Sequence, residues 1–199
     1  MQSEIVCAFE ELNVPISEEE IDKAISELKP GKSAGADLLL NEFYIHGKDI
    51  LKPYLHRLFN FIFNSGVFPE AWSNGLLVPL HKKGSKSIPD NFRGVTLLST
   101  LGKLFTRILN TRFVKWAESY SIYVEAQYGF RAGRGTTDCM FILHNAINHF
   151  INRGEALYAF FVDFSKAFDR VVYDNLWFKM LKLGISGNIF SSHGVPWAA

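Results

Sequence analysis

Apolar residues recur at helical spacing along much of the chain and predict several helices. The first begins after Ser17, because Ser17 and Glu20 form the S-x-x-E pattern of a capping box. Pro30 marks its end. A second helix covers roughly 48–64 and stops at Gly66. Three more helices are predicted at 99–118, 136–152 and 176–183.

The two sides of these helices predict which residues are buried. A charged helix face usually faces solvent, whereas the apolar face packs inward. The charged face of the helix at 99–118 consists of Lys103, Arg107, Arg112 and Lys115. The inward positions of the helix at 136–152 are Phe141, Ile142, Ile147 and Phe150.

Two apolar runs are typical of β-strands. The run at 76–80 contains Pro79, which lacks the N–H for a ladder hydrogen bond and so indicates an edge strand or a strand end. The run at 157–163 is continuously aromatic and aliphatic, which predicts a strand buried on both faces. Asp163 stands at its C-terminal end.

Composition and charge limit the class of protein. The chain has 199 residues, 48% of them hydrophobic, which is ample for a packed core. Its 21 basic and 20 acidic residues nearly balance, so net charge neither demands nor excludes a nucleic-acid partner. Two cysteines are too few for a disulfide framework or a zinc site. Because no signal peptide and no long apolar run is present, we expect an intracellular protein without a membrane span, in either the nucleus or the cytoplasm.

Asp163 is the first candidate for chemistry. An ionised carboxylate at the end of an apolar strand is costly unless it is paired, protonated or bound to a metal. Two-metal phosphoryl-transfer sites use such an aspartate to hold Mg²⁺. An aspartate in this position also commonly caps a helix or forms a turn. Asp169 either reaches the same site or pairs with Arg170 or Lys166, and the residues alone leave these alternatives open.

Residues 161–171, reading FVDFSKAFDRV, resemble the first palm motif of non-LTR (LINE-type) retrotransposon reverse transcriptases. Six further segments resemble the same family in the same order, and this order and spacing make the resemblance specific. They are 31–37 with 41–43, 66–72, 78–84, 91–99, 101–104 and 127–136. The resemblance covers about residues 15–190.

The resemblance implies a catalytic role for the end of the second apolar run. Asp163 would be a catalytic ligand of Mg²⁺, with the backbone carbonyl of Phe164 beside it. Phe168 would be a steric gate whose ring collides with a ribose 2′-hydroxyl and so selects deoxynucleotides. From the residues alone, a core aromatic is the alternative for Phe168.

The resemblance also implies which residues contact the substrates. Lys82 or Lys83, together with Arg93, would bind the triphosphate of the incoming deoxynucleotide, which suits a lysine point charge and a bidentate arginine. Arg131 and Arg134 would lie near the template, and a purely structural role in their loop is the alternative. The implied partners are an RNA template, a DNA primer and deoxynucleoside triphosphates, with no membrane partner; the oligomeric state stays open.

The fold implied is a truncated right-hand polymerase of the α+β class, rich in helices and with few strands. It would consist of the fingers and the first part of the palm. Residues 1–75 would be an N-terminal finger extension, 76–190 a partial reverse transcriptase domain and 191–199 an unrelated tail.

This chain departs from the family pattern in its first loop. The family loop reads with a proline and then Asp-Gly, whereas this chain has Ala34, Ala36 and Asp37 followed by Leu38. Because the glycine after Asp37 is absent, we expect an altered turn there.

A second departure concerns activity. The family's second palm motif presents two adjacent aspartates, and the sequence contains no Asp-Asp dipeptide. One aspartate cannot hold two Mg²⁺ ions, so we expect no polymerase activity from this chain. A strand at 157–163 without its neighbours would also expose apolar surface, which predicts marginal stability or aggregation.

Two other functions compete with an inactive polymerase fragment. One is a non-catalytic RNA- or DNA-binding module derived from the same family, which would use the basic residues. The other is a hydrolase or other metalloenzyme, which ranks last because the chain has no G-x-S-x-G, H-E-x-x-H or Walker motif.

Overall fold

The computed structural model describes residues 9–191. Among these residues helices are abundant and strands are few, as predicted. The helices are α1 (Glu18–Ser26), α2 (Asn41–His46), α3 (Lys48–Ser65), α4 (Glu70–Ser73), α5 (Thr100–Ser119), α6 (Thr136–Asn152), α7 (Tyr173–Lys182) and α8 (Asn188–Ser191). The strands are β1 (Leu76–His81) and β2 (Phe92–Leu97). Within this part of the chain, each helix is too short or too polar to cross a membrane.

The described chain divides into two compact units. The first joins the residues up to Val114 with those from Asp174 onward. The second consists of Lys115–Tyr173. The predicted boundary near residue 75 stays a prediction, and most of the predicted tail at 191–199 lies outside the described residues.

The start of α1 confirms the predicted capping box. The backbone N–H of Glu20 donates to Ser17 Oγ at 3.3 Å, and the N–H of Ser17 donates to Glu20 Oε2 at 2.9 Å. Ile16 and Ile21, on either side of the cap, are buried. The helix ends at Ser26, ahead of Pro30.

The predicted second helix is also confirmed, as α3. It ends where Gly66 adopts a left-handed φ of 69° and donates its N–H to Ile62 O at 3.0 Å. The short helix α2 was not predicted, because six residues are too few to show helical periodicity.

Aromatic packing joins α3, α4 and α5 in the core of the first unit. The rings of Phe59 and Phe105 have centroids 5.5 Å apart, and Trp72 lies 5.9 Å from Phe105. Phe68 packs edge to face against Trp72 at 5.5 Å. The same helices also bury aliphatic side chains, including Leu55, Ile62, Leu104, Ile108 and Leu109.

The helix α5 confirms the prediction at 99–118, but its charged face is only partly solvated. Arg112 is 8% exposed, so its assignment to a solvent face was wrong. Its guanidinium donates to both carboxylate oxygens of Glu20, each at 2.6 Å, and to Pro15 O at 2.9 Å. It also lies over the Phe63 ring, 5.4 Å from the centroid. The carboxylate that completes the α1 cap therefore also binds α5.

The helices α7 and α8 complete the first unit. Ile185 and Ile189 are fully buried. Asn13 Nδ2 donates to Ser186 O at 2.9 Å, and its Oδ1 accepts from the N–H of Ile189 at 3.0 Å. The predicted helix at 176–183 corresponds to α7, and Gly184 follows it with a φ of 84°.

The strands β1 and β2 form an antiparallel ribbon. Leu76 lies opposite Leu97, and His81 lies opposite Phe92. The strand β1 was predicted, and it is an edge, as Pro79 indicated, since the described sheet has two strands. The strand β2 was missed because its sequence, FRGVTL, includes an interior glycine that weakens the strand pattern.

In the second unit, the predicted helix at 136–152 is confirmed as α6. The prediction that one of its faces is buried was wrong. Phe141 is 68% exposed and Ile142 is 53% exposed, and α6 contains no buried residue. Helical periodicity identifies an apolar face and does not supply the surface that covers it.

The predicted strand at 157–163 was wrong. These residues have no regular secondary structure, and Phe160 and Phe161 are 94% and 82% exposed. A strand forms only by hydrogen bonding to a neighbour, and the described strands, β1 and β2, pair with each other. Burial on both faces was therefore also wrong.

Candidate nucleotide and nucleic-acid site

Two of the predicted triphosphate contacts share one face of the β1–β2 ribbon. Arg93 lies opposite Leu80. The N–H of Lys82 donates to Asn91 O at 2.8 Å, which extends the ladder beyond His81. Because side chains alternate between faces of a strand, Lys82 and Asn91 fall on the same face as Arg93.

These cations have no partner in the part of the chain that the structure describes. Lys82, Lys83 and Arg93 are all exposed. The side chains of these three residues take part in no ion pair, hydrogen bond or ring contact with another described residue. Their charges are thus available to an anion.

The loop that follows β1 is ordered by its own hydrogen bonds. The His81 ring, through Nε2, lies 3.0 Å from Gly84 O, and Asn91 Nδ2 donates to Ser85 O at 2.8 Å. Gly84 has a φ of 81°, and a Cβ there would meet Asn91 Nδ2 at 2.7 Å. The glycine allows the loop to close tightly beside the two lysines.

Asp163 lies exposed in the segment without regular structure and has no hydrogen-bond or ion-pair partner among the described residues. No helix begins there, so the cap alternative is not seen; a turn follows at 165–167. Asp169 pairs with neither Arg170 nor Lys166 in this part of the chain.

The described residues do not form a complete set of ligands for Mg²⁺. Within residues 9–191 there is no group of three histidine, cysteine, aspartate or glutamate side chains that could hold a metal ion. Hard divalent cations require several oxygen ligands, and two-metal sites require more. Asp163 and the carbonyl of Phe164 therefore provide at most part of such a site.

Phe168 lies in a short 3-10 turn, Phe168–Arg170, and its side chain is 72% exposed. The alternative of a core aromatic is therefore wrong for the described structure. Its ring packs edge to face against Phe130, with centroids 6.2 Å apart. Phe130 is itself 90% exposed, so both rings are accessible.

Arg131 is enclosed by residues of its own unit. Its guanidinium donates to Glu118 Oε1 at 2.9 Å, to Glu118 Oε2 at 2.7 Å and to Val124 O at 3.2 Å. It lies 5.4 Å from the centre of the Tyr123 ring, and its side chain is 8% exposed. The hydrogen bond from Arg131 lowers the pKa of Glu118. This geometry favours the structural alternative for Arg131.

Arg134 makes similar contacts, but its side chain is more exposed than that of Arg131. Its guanidinium donates to Glu125 O at 2.7 Å and to Glu125 Oε2 at 2.6 Å, and it lies 5.5 Å from the Tyr128 ring centre. The side chain is 24% exposed, and that of Glu125 is 86% exposed. The hydrogen bond from Arg134 lowers the pKa of Glu125. Sequence reasoning missed both acidic partners, which lie 13 and 9 residues from their arginines.

Known proteins resemble this chain over most of its length. It is 34% identical over 172 residues to the probable RNA-directed DNA polymerase from transposon BS of Drosophila melanogaster, covering 85% of this chain and 19% of that protein. It is 31% identical over 170 residues to the RNA-directed DNA polymerase from mobile element jockey of Drosophila funebris, with the same two shares. The transposon TX1 uncharacterized 149 kDa protein of Xenopus laevis is 33% identical over 168 residues, covering 84% of this chain and 13% of that protein.

The chain thus spans about a fifth of the length of the curated relatives it matches. The family described as reverse transcriptase (RNA-dependent DNA polymerase) matches residues 80–197, which is more than half of the chain. This range contains both the ribbon residue Arg93 and Asp163. The chain belongs to the reverse transcriptase family, and within it to the non-LTR, LINE-type retrotransposon group.

Proposed function

We propose that this chain supplies the fingers and the first part of the palm of a right-hand polymerase that copies an RNA template from a DNA primer. The β1–β2 ribbon would bind the triphosphate of the incoming deoxynucleotide. The observation that carries this proposal is the pair Lys82 and Arg93, two exposed and unpartnered cations on one face of the ribbon. An arginine fork beside a lysine point charge suits a polyphosphate.

The ladder favours Lys82 over Lys83 as the phosphate contact. Lys82 stands diagonally across from Arg93, a relation in which the two positions are about 7–8 Å apart and within reach of long side chains. Lys83 is the next residue, beyond the last ladder bond, so it falls outside this same-face relation.

Asp163 is proposed as one ligand of a divalent metal ion, with Mg²⁺ the cation of choice in a longer polymerase. The described residues do not complete a metal site, so the remaining ligands would have to come from other parts of that polymerase. Phe168 is proposed as the gate against a ribose 2′-hydroxyl, because its exposed ring is free to contact a sugar.

Isothermal titration calorimetry with deoxythymidine triphosphate, in the absence of metal, tests whether the ribbon binds a triphosphate. We expect Lys82→Ala and Arg93→Ala each to weaken binding about tenfold, the equivalent of one charge-assisted hydrogen bond. Lys83→Ala, the matched control, should change the affinity for the triphosphate less than about threefold. Equal losses for the two lysine variants would contradict the ladder argument, and an absence of binding would contradict the site.

A non-catalytic RNA- or DNA-binding module is the second candidate. The partly exposed guanidinium of Arg134, stacked near Tyr128, favours it, because arginine and tyrosine together suit phosphates and bases. If the chain binds single-stranded RNA in a salt-dependent way but shows no triphosphate binding, this second function replaces the first.

A further inference from the structure

The β1–β2 ribbon has little packing of its own to fix its direction. Among the described residues it pairs with no third strand, and a two-stranded ribbon is marginally stable alone. Leu76, Leu77 and Leu80 are each more than half exposed. The direction of the ribbon is therefore set where it joins the helices.

One of these joints, between β2 and α5, is held by the loop that precedes α2. Gly35 is buried in this loop. A Cβ built on Gly35 would lie 2.5 Å from the carbonyl carbon and oxygen of Leu98, and 2.7 Å from the amide nitrogen of Ser99. No side chain fits at such distances, so the loop backbone lies directly against the backbone that follows β2. Gly35 is needed for space, since its φ is not in the left-handed region.

Buried hydrogen bonds tie the same joint to the loop. Thr100, the first residue of α5, is fully buried and donates its hydroxyl hydrogen to Asn41 Oδ1 at 3.1 Å, with Leu39 O at 3.3 Å as a second acceptor. Asn41, the first residue of α2, is 7% exposed and donates from Nδ2 to Lys29 O at 2.8 Å. These bonds link the chain after α1 to the starts of α2 and α5.

A small tilt at this joint has a large effect on Arg93. At about 3.4 Å per strand residue, Arg93 lies about 17 Å along the strand from Leu98. A tilt of about 10° at Leu98 would move Arg93 by about 3 Å relative to the helices, and Lys82, on the same ladder, would move with it.

We propose that Gly35, Asn41 and Thr100 form a positioning clamp that sets the direction of the ribbon. Because a two-stranded ribbon is marginally stable alone, fixing its base also keeps the β1–β2 ladder formed, and so determines how tightly Lys82 and Arg93 bind a triphosphate. The second statement rests on the proposed function of the ribbon, whereas the first is a property of the fold and can be measured without a ligand.

Hydrogen exchange tests the clamp without a ligand. Gly35→Ala should speed exchange about tenfold at the ribbon amides, including that of Lys82, and leave the amides in the middle of α3 unchanged. Gly129→Ala is the matched control, because a Cβ at Gly129 would meet nothing within 4 Å. Unchanged ribbon exchange in Gly35→Ala, or equal acceleration in α3, would overturn the clamp.

Binding of inorganic tripolyphosphate tests the consequence for the ligand. Thr100→Val keeps the shape of the side chain but loses the hydroxyl, and it should weaken binding about tenfold. Thr100→Ser keeps the hydroxyl and should bind within twofold of the parent. If Lys82→Ala weakens binding and Thr100→Val does not, the clamp is overturned. If Lys82→Ala and Arg93→Ala change nothing, the proposed function fails, and the exchange measurement alone decides the clamp.

Discussion

The turn after Asp37 shows how a single residue departs from the family pattern. Leu38 has a φ of 58°, in the left-handed region that glycine adopts at little cost. The turn is kept by local hydrogen bonds: the N–H of Leu38 donates to Gly35 O at 3.1 Å, and that of Leu39 donates to Asp37 Oδ1 at 3.2 Å. The altered turn thus takes the form of a leucine held at a left-handed φ inside a hydrogen-bonded turn.

Replacing this leucine with glycine should therefore stabilise the protein. A left-handed φ costs an L-residue about 1–2 kcal/mol, and the greater freedom of glycine in the unfolded chain offsets part of the gain. Since Leu38 is 82% exposed, little packing is lost. We expect Leu38→Gly to raise the free energy of unfolding in urea by about 1 kcal/mol. Phe61→Gly is the control, because Phe61 lies inside α3, is 69% exposed and should lose stability when replaced by glycine; equal effects at both positions would refute the strain.

Several candidate positions could not be identified residue by residue. Gly35 looks in sequence like any turn glycine, and only the backbone packed against it reveals why it is needed. Arg131 and Arg134 stand out as cations, but their acidic partners are distant in sequence, and no short-range spacing connects them. Lys82 and Arg93 were predicted through the family resemblance, whereas their common face depends on a register that the sequence does not show.

At the scale of elements, the pair Glu20 and Arg112 joins α1 to α5. Burial opposes ionisation of Glu20, but hydrogen bonds from Arg112 and from the Ser17 backbone outweigh it and lower the pKa of the carboxyl below its usual 4.5. A carboxyl with a lowered pKa in the folded state contributes stability above its unfolded pKa. That contribution is lost as the pH falls through the folded value.

We therefore expect Glu20→Gln to be costly at neutral pH and less so in acid. At pH 7 it should lower the free energy of unfolding by about 3 kcal/mol, because it leaves the buried Arg112 without its counter-charge. The difference from the parent should shrink below pH 4.5, measured by urea unfolding across pH. Glu27→Gln is the control, since its partner Arg107 is exposed and such pairs contribute little. A difference that is constant from pH 7 to pH 3 would contradict this account.

Local signals predicted the helices well and the strands poorly. The capping box before α1 and the glycine after α3 act within a few residues, so they can be read directly. The strand β2 forms because β1 lies beside it. Residues 157–163 have a stronger strand pattern than β2 but no partner among the described strands, so they lack regular secondary structure and are exposed.

At the scale of the whole molecule, the number of metal ligands bears on whether this chain can extend a primer. The described residues hold no three-residue metal group, and the sequence has no adjacent aspartates. We expect no extension of a DNA primer on an RNA template by this 199-residue polypeptide with Mg²⁺ and deoxynucleotides. The matched comparison is Asp163→Ala: extension by the parent that disappears in this variant would prove the expectation wrong.

The return of α7 and α8 to the first unit has a consequence for synthesis. The side chains that close this core, Ile185 and Ile189, are made after the whole second unit has been translated. The N-terminal helices are therefore synthesised, together with residues 115–173, before these two side chains can join their core. The stretch that carries Asp163 thus leaves the ribosome after the N-terminal part of the first unit and before the helices that complete it.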